Sequence, residues 1–221
     1  MAFDGITIAA MVSELNKNLS GGRINKIAQP ESDELLITGK GANGQKRLLL
    51  SASASLPLIY FTGKNRISPL TAPNFCMLLR KHIGSARITA IRQPGLERVV
   101  EFELEHLNEL GDVCHKVLIM ELMGKHSNII FCDDNNMILD SIKHVSCNVS
   151  SVREVLPGRP YFIPHTQDKL DPLTISREDF MEKVCGRSNA VSKALYQTLT
   201  FEKRAYFEAA EGAEQAPQVQ F

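Results

Sequence analysis

Glu121-Leu122-Met123-Gly124-Lys125-His126-Ser127-Asn128-Ile129-Ile130 is a polar turn between two apolar runs, Val117-Leu118-Ile119-Met120 before it and Ile129-Ile130-Phe131 after it. Short apolar runs bounded by turn signals are what strands covered on both faces require. The stretch therefore predicts a pair of buried central strands joined by a tight connection. Gly124 lets the backbone turn where a side chain would clash, and Ser127 and Asn128 can bond back to the chain. Lys125 and His126 are then held at the rim of a rigid scaffold, either as a plain solvated turn or as a functional loop.

The same grammar repeats on either side of this stretch. Before the turn, Val99 to Leu104 reads as a strand with Phe102 and Leu104 on one face and Glu101, Glu103 and Glu105 on the other. It returns from a strand at Arg87 to Gln93 through a Pro94-Gly95 turn, which sets Glu97 and Arg98 at an exposed hairpin tip. Such a pair is either a surface ion pair or a contact for nucleic acid, Arg for phosphate and Glu for base amino groups or ribose hydroxyls. Arg80, Lys81, Arg87, Arg92 and Arg98 against Glu97 alone make this region a candidate phosphate-contacting surface. Arg80, Lys81 and His82 also suit the last turn of a helix that opens with Pro73 at its first position and buries Phe75, Leu78, Leu79, His82 and Ile83.

Nearer the start, Asp4 is placed to cap a helix through Ile8, Val12, Leu15 and Leu19 that stops at Gly21-Gly22. Strands follow at Arg23 to Gln29, Glu34 to Gly39, Lys46 to Ser51 and Leu58 to Phe61. The glycines at 41 and 44 lie between strands, without the Lys-Ser/Thr of a nucleotide loop. After the central pair, Asp133 to Asn136 reads as a turn rather than a calcium loop, and Met137 to Ile142 as another strand. Prolines 157, 160, 164 and 172 mark an extended connector. Ser176 and Asp179 resemble a capping box on a helix carrying Phe180 and Val184 and closed by Gly186, and Ser188 can cap a second with Val191, Leu195 and Leu199. Residues 201–221 read as a Glu- and Ala-rich tail.

Composition bounds the function. Hydrophobic residues make up 43% of 221, enough for a real core, and Lys plus Arg equals Asp plus Glu at 25 each. With no global field, any pull on nucleic acid must be local. Five scattered cysteines with no Cys-x-x-Cys pair predict buried, reduced thiols and a cytoplasmic protein. The start lacks a signal-peptide pattern and no apolar run is long enough for a membrane span. His106, His115, His144 and His165 show no ligand spacing and are expected as surface or satisfied core residues, so no metal and no cofactor are expected.

Four motifs together resemble a known family. Phe3-Asp4-Gly5, the stretch Asn74 to His82, Gly95-Leu96-Glu97-Arg98 and Glu121 to Ile130 occur in the order seen in the N-terminal NFACT domain of the RqcH family, long labelled fibronectin-binding protein A. The resemblance covers roughly residues 1–199. It implies an α+β fold: a β-sandwich-like N-terminal domain with flanking helices over residues 1–172, similar to the N-terminal domain of formamidopyrimidine DNA glycosylases. An incomplete helix-hairpin-helix segment over 173–221 would follow. Glycosylase chemistry is not expected, because Ala2 and Phe3 stand where those enzymes carry Pro and Glu, and no catalytic arrangement is identified.

The resemblance further implies a ribosome-associated quality-control factor. It would bind the large ribosomal subunit carrying peptidyl-tRNA and recruit alanyl-tRNA for mRNA-independent tailing of stalled chains. In that picture this chain grips tRNA, while a coiled coil and a C-terminal RNA-binding domain, absent here, hold the ribosome. By position Glu97 and Arg98 match the family's acidic-arginine pair, although Asp is usual at the first place. Lys125 stands where Arg is common, keeping charge but losing bidentate geometry. His126, Asn128 and Asp4 complete the candidate tRNA-binding set, with helix capping a sufficient role for Asp4. The rival implication, from the older label, is a surface adhesin that docks fibronectin on an exposed strand edge.

Overall fold

Asp4 starts the first helix, α1 (Gly5–Leu19), by accepting the Thr7 amide on Oδ1 at 2.8 Å. This is the N-cap that the sequence predicts. Ile8, Leu15 and Leu19 share the buried face of α1, and the chain leaves the helix through Gly21 at φ +75°. The computed structural model describes residues 3–164, 169–172, 174–188 and 190–199. His165 and the tail from 201 to 221 lie outside the described residues.

Nine strands and a second helix follow: β1 (Arg23–Ala28), β2 (Glu34–Gly41), β3 (Gly44–Ser51), β4 (Leu58–Phe61), α2 (Asn74–Ile83), β5 (Arg87–Arg92), β6 (Val99–Leu107), β7 (Val113–Glu121), β8 (Asn128–Asp133) and β9 (Ile138–Ser141). They form one antiparallel sheet in the order β4-β3-β2-β1-β5-β6-β7-β8-β9. Leu48 on β3 and Leu118 on β7 stand five strands apart in that order, about 24 Å along a flat sheet. Yet both line one void of about 10 Å³ together with Leu19, Ile24, Ile88 and Phe102. The sheet therefore folds onto itself. The bend falls between β1 and β5, whose ladder has the single pair Arg23 and Arg87. The layering expected of a sandwich thus comes from one continuous sheet, with α1 and α2 adding Ile8, Leu15, Phe75 and Leu79 to the same core.

On β7 and β8 successive residues serve two cores. Leu118, Met120, Ile129 and Phe131 face the large one, while Ile119, Ile130 and Cys132 face a second that Val155, Tyr161 and Ile163 close. The central strands are covered on both faces, as their apolar runs require.

Several local expectations need correction. Pro73 stands at the N-cap of α2 rather than at its first helical position, and Cys76 is buried while Leu78 and His82 are only half-buried. Beyond the connector, Ser176 caps α3 (Arg177–Phe180), its Oγ accepting the Asp179 amide at 3.0 Å, and a π-type turn at Met181–Cys185 runs on to Gly186. In α4 (Val191–Thr198) the N-cap is Ala190, not Ser188. Its partners meet its C-terminal end, where Leu170 N donates to Thr198 O at 2.8 Å, so Val191 is left 64% exposed while Ala194 and Leu199 are buried. Cys147 and Cys185 are exposed, so the expectation of buried thiols fits Cys76 and Cys132 but not these. No helix among the described residues is long and apolar enough to cross a membrane.

Candidate nucleic-acid interface

The β5–β6 turn turns sharply through Gly95, at φ +53°, and Glu97 N donates to Pro94 O at 3.0 Å. Gln93 fixes this turn against the start of α1, its Nε2 donating to Gly5 O at 2.8 Å and Glu97 O at 2.9 Å. The approach is so close that a Cβ on Gly5 would stand 2.2 Å from Leu96 O. Only glycine permits it. The Phe3-Asp4-Gly5 and Gly95-to-Arg98 motifs are thus one structural unit.

The β7–β8 turn lies beside it. Val99 pairs with Glu121 and Leu122 N donates to Arg98 O at 2.8 Å. Gly124 takes φ +59° and opens a single 3₁₀ turn, Gly124–His126. Ser127 closes it by accepting Met123 N on Oγ at 2.8 Å. Asn128 is 2% exposed. Its Nδ2 donates to Lys143 O at 2.8 Å, and its Oδ1 accepts from Ile129 N at 2.9 Å and Lys143 N at 3.1 Å. Asn128 therefore ties the chain after β9 to the turn.

Glu97, Arg98, Lys125, His126 and Asn128 all line one cleft of about 590 Å³. Lys143, His144 and Arg153 extend its polar side, and Val145, Val149 and Val152 give it an apolar wall. Asp4 does not line it; it is buried at 4% exposure and caps α1 behind the β5–β6 turn. Arg98, Lys125 and His126 are exposed, Glu97 half-buried. Among the described residues Arg98 and Lys125 make no ion pair, and Glu97 does not pair with Arg98. Lys143 Nζ donates to Ala52 O, and His144 Nε2 stands 2.6 Å from Asp140 Oδ1. The longer basic stretch is divided: Arg80 Nε donates to Ile27 O at 2.8 Å, and Arg92 pairs with Glu103 at 3.0 Å on β6.

Beneath the cleft lies a buried ion pair. Glu121 is 0% exposed; Arg153 Nη2 donates to both its carboxylate oxygens at 2.6 Å, and the Tyr161 hydroxyl to Oε1 at 3.0 Å. Arg153 also donates from Nη1 to Phe162 O at 2.6 Å. Burial pushes the Glu121 carboxyl up, and the Arg153 guanidinium pulls it back. Burial, and then the Glu121 charge, push the Tyr161 hydroxyl up, so it remains a donor. This cluster pins residues 153–162 over β7. Lys143 and Arg153 are not singled out by the sequence, which marks His144 only as a surface or satisfied core residue, yet a signal existed for Arg153: a carboxylate at the end of a buried strand demands a cation.

The arrangement suits an anionic polymer. Exposed cations stand on a rigid rim, a carboxylate that can accept from bases lies beside them, and an apolar wall follows. No group of His, Cys, Asp and Glu among the described residues could hold a metal ion.

The fold is thus an antiparallel α+β domain with a cation-rimmed cleft at one end of its central strands. A family model described as NFACT N-terminal and middle domains matches residues 4–220, and the chain belongs to this family. It is 41% identical over 198 residues to the Rqc2 homolog RqcH of Bacillus subtilis, covering 88% of this chain and 34% of that protein. Against the ribosome quality control complex subunit NEMF of Homo sapiens it is 26% identical over 175 residues, 79% of this chain and 15% of that one. The chain thus spans about a third, or less, of the length of these relatives. Among solved structures, the N-terminal domain of fibronectin-binding protein PavA from Streptococcus pneumoniae superposes with a TM-score of 0.87 at 35% identity, covering 97% of this chain and 81% of that one. The N-terminal part of the fibronectin/fibrinogen-binding protein of Streptococcus suis matches with the same score and identity, covering 98% and 81%.

Proposed function

We propose that this chain is the tRNA-gripping part of a ribosome-associated quality-control factor that acts on the large subunit carrying peptidyl-tRNA and recruits alanyl-tRNA to tail stalled chains. The observation that supports it most is the convergence of Glu97, Arg98, Lys125 and His126 on one cleft from two separate turns. The names of the relatives, Rqc2 homolog and ribosome quality control subunit, point the same way, and on this reading the chain acts in the cytoplasm. On this reading Arg98 and Lys125 contact phosphate and Glu97 accepts from a base or ribose. Asn128 and Asp4 hold the two turns in place. Residues 1–172 form the NFACT N-terminal domain, a glycosylase-like sandwich in outline, and α3 and α4 open a helix-hairpin-helix module. Purified tRNA titrated over a salt series tests the reading. Wild type binds with salt-dependent affinity and a folded Glu97→Ala, Arg98→Ala variant does not; equal affinity of the two would overturn it.

A second reading draws on the names of PavA and its Streptococcus suis counterpart. Here the edge strand β4 would dock an extended segment of fibronectin. Surface display on intact cells together with fibronectin binding, and no tRNA binding, would favour it.

A further inference from the structure

On the face of β1–β3 turned away from the large core, Lys26, Thr38 and Arg47 form a row. Lys26 is the ladder partner of Thr38, and Thr38 of Arg47. Their neighbours on the same face, Ala28, Leu36 and Leu49, make a small separate apolar cluster. The loop after β4 crosses this face: Thr62 N donates to Arg47 O at 2.9 Å, and Arg47 Nη1 to Gly63 O at 3.1 Å. Between loop and sheet lies a pocket of about 150 Å³.

We propose that this pocket is a binding site for a phosphate group. Lys26, Arg47 and Arg66 bring cations to it from two strands and the loop, and no carboxylate lines it. Among the described residues the one ion pair these cations make is Arg66 with Glu34, at 2.9 Å. Lys26 and Arg47 flank Thr38 at about one strand spacing each, ~5 Å. Lys26 and Arg47 are thus about two strand spacings apart, ~10 Å, so their mutual repulsion is weak, and together they place positive charge on both sides of Thr38. Thr38 is 5% exposed, lines the pocket, and its hydroxyl has no hydrogen-bond partner among the described residues. The hydroxyl is not among the buried polar atoms left without a partner, so it is open to the pocket and free to donate to an anion there. Gln45, Asn65 and Ser68 add neutral polar groups on other sides. Donors on several sides suit a phosphate with several oxygens better than a flat carboxylate. The volume is below the ~300 Å³ at which ligand clefts begin, so the pocket takes one group, either a phosphodiester of RNA or free phosphate, and not a whole nucleotide.

The site is independent of the tRNA reading of the cleft, and its test separates the two. Inorganic phosphate is titrated into the full chain and followed by amide NMR, with Lys26→Glu and Thr38→Val as variants and far-UV dichroism as the folding check. The expected result is shifts at Lys26, Thr38, Arg47 and Arg66, with affinity lowered about tenfold or more in each variant. Shifts confined to the cleft around Arg98 and Lys125, or affinity unchanged in both folded variants, would overturn the proposal. A tRNA salt titration then identifies the source. If the phosphate is RNA's, Lys26→Glu lowers the salt slope by about one; if it is free phosphate, the slope stays and the inorganic phosphate response alone is lost.

Discussion

Arg98 and Arg153 carry the same charge to one cleft and act differently there, because one is exposed and the other lies against a buried carboxylate. Arg98→Ala removes a solvated group, so unfolding free energy stays within about 0.5 kcal/mol while tRNA affinity falls about tenfold. Denaturant curves and a binding isotherm on one preparation check both. Arg153→Ala instead strands Glu121, at a cost of about 3–5 kcal/mol. The pH dependence has a definite sign. Burial raises the folded Glu121 carboxyl above its ordinary 4.5, and loss of Arg153 raises it further. A raised group contributes stability that is fully present below the unfolded value and lost as pH rises through the folded one. The deficit of Arg153→Ala relative to wild type is therefore smaller at about pH 5 than near neutrality, which urea unfolding at the two pH values measures. The rim position of Glu97, Arg98 and Lys125 was legible in the sequence, because short turns leave their residues there. Arg153 was not, because its partner stands 32 positions away and nothing local pairs them.

At the scale of elements, the close contact of α1 with the β5–β6 turn couples helix position to the cleft. Gly5→Ala puts a Cβ at 2.2 Å from Leu96 O, which forces helix or turn to move and costs about 1–3 kcal/mol. The variant is expected to lose tRNA affinity as well as melting temperature. Ser13→Ala, at an exposed position on the same helix, is the control that loses neither. Retained affinity in a destabilised Gly5→Ala would dissociate α1 from the site. Strands and the first helix were readable because alternation and three-to-four spacing report burial directly. The start of α4 was not, since Ser188 offers a cap side chain that tertiary contacts at the other end of the helix leave unused.

Across the whole molecule, strand existence was legible and strand order was not. The bend depends on Arg23 meeting Arg87 across 64 positions, and no local pattern encodes so distant a pairing. Burial on this scale also sorts the thiols. Burial pushes the Cys132 thiol up to about 12, whereas Cys147 and Cys185 lie at the surface. Limiting alkylation of the native chain, read by mass spectrometry, should label Cys147 and Cys185 well before Cys76 or Cys132. Whether two turns and the segment after β9 form one tRNA-contacting surface is read by hydrogen exchange of the full chain with and without tRNA. tRNA is expected to slow exchange together at residues 96–98, 123–128 and 143–153. Protection absent from all three segments while tRNA is bound elsewhere would contradict it.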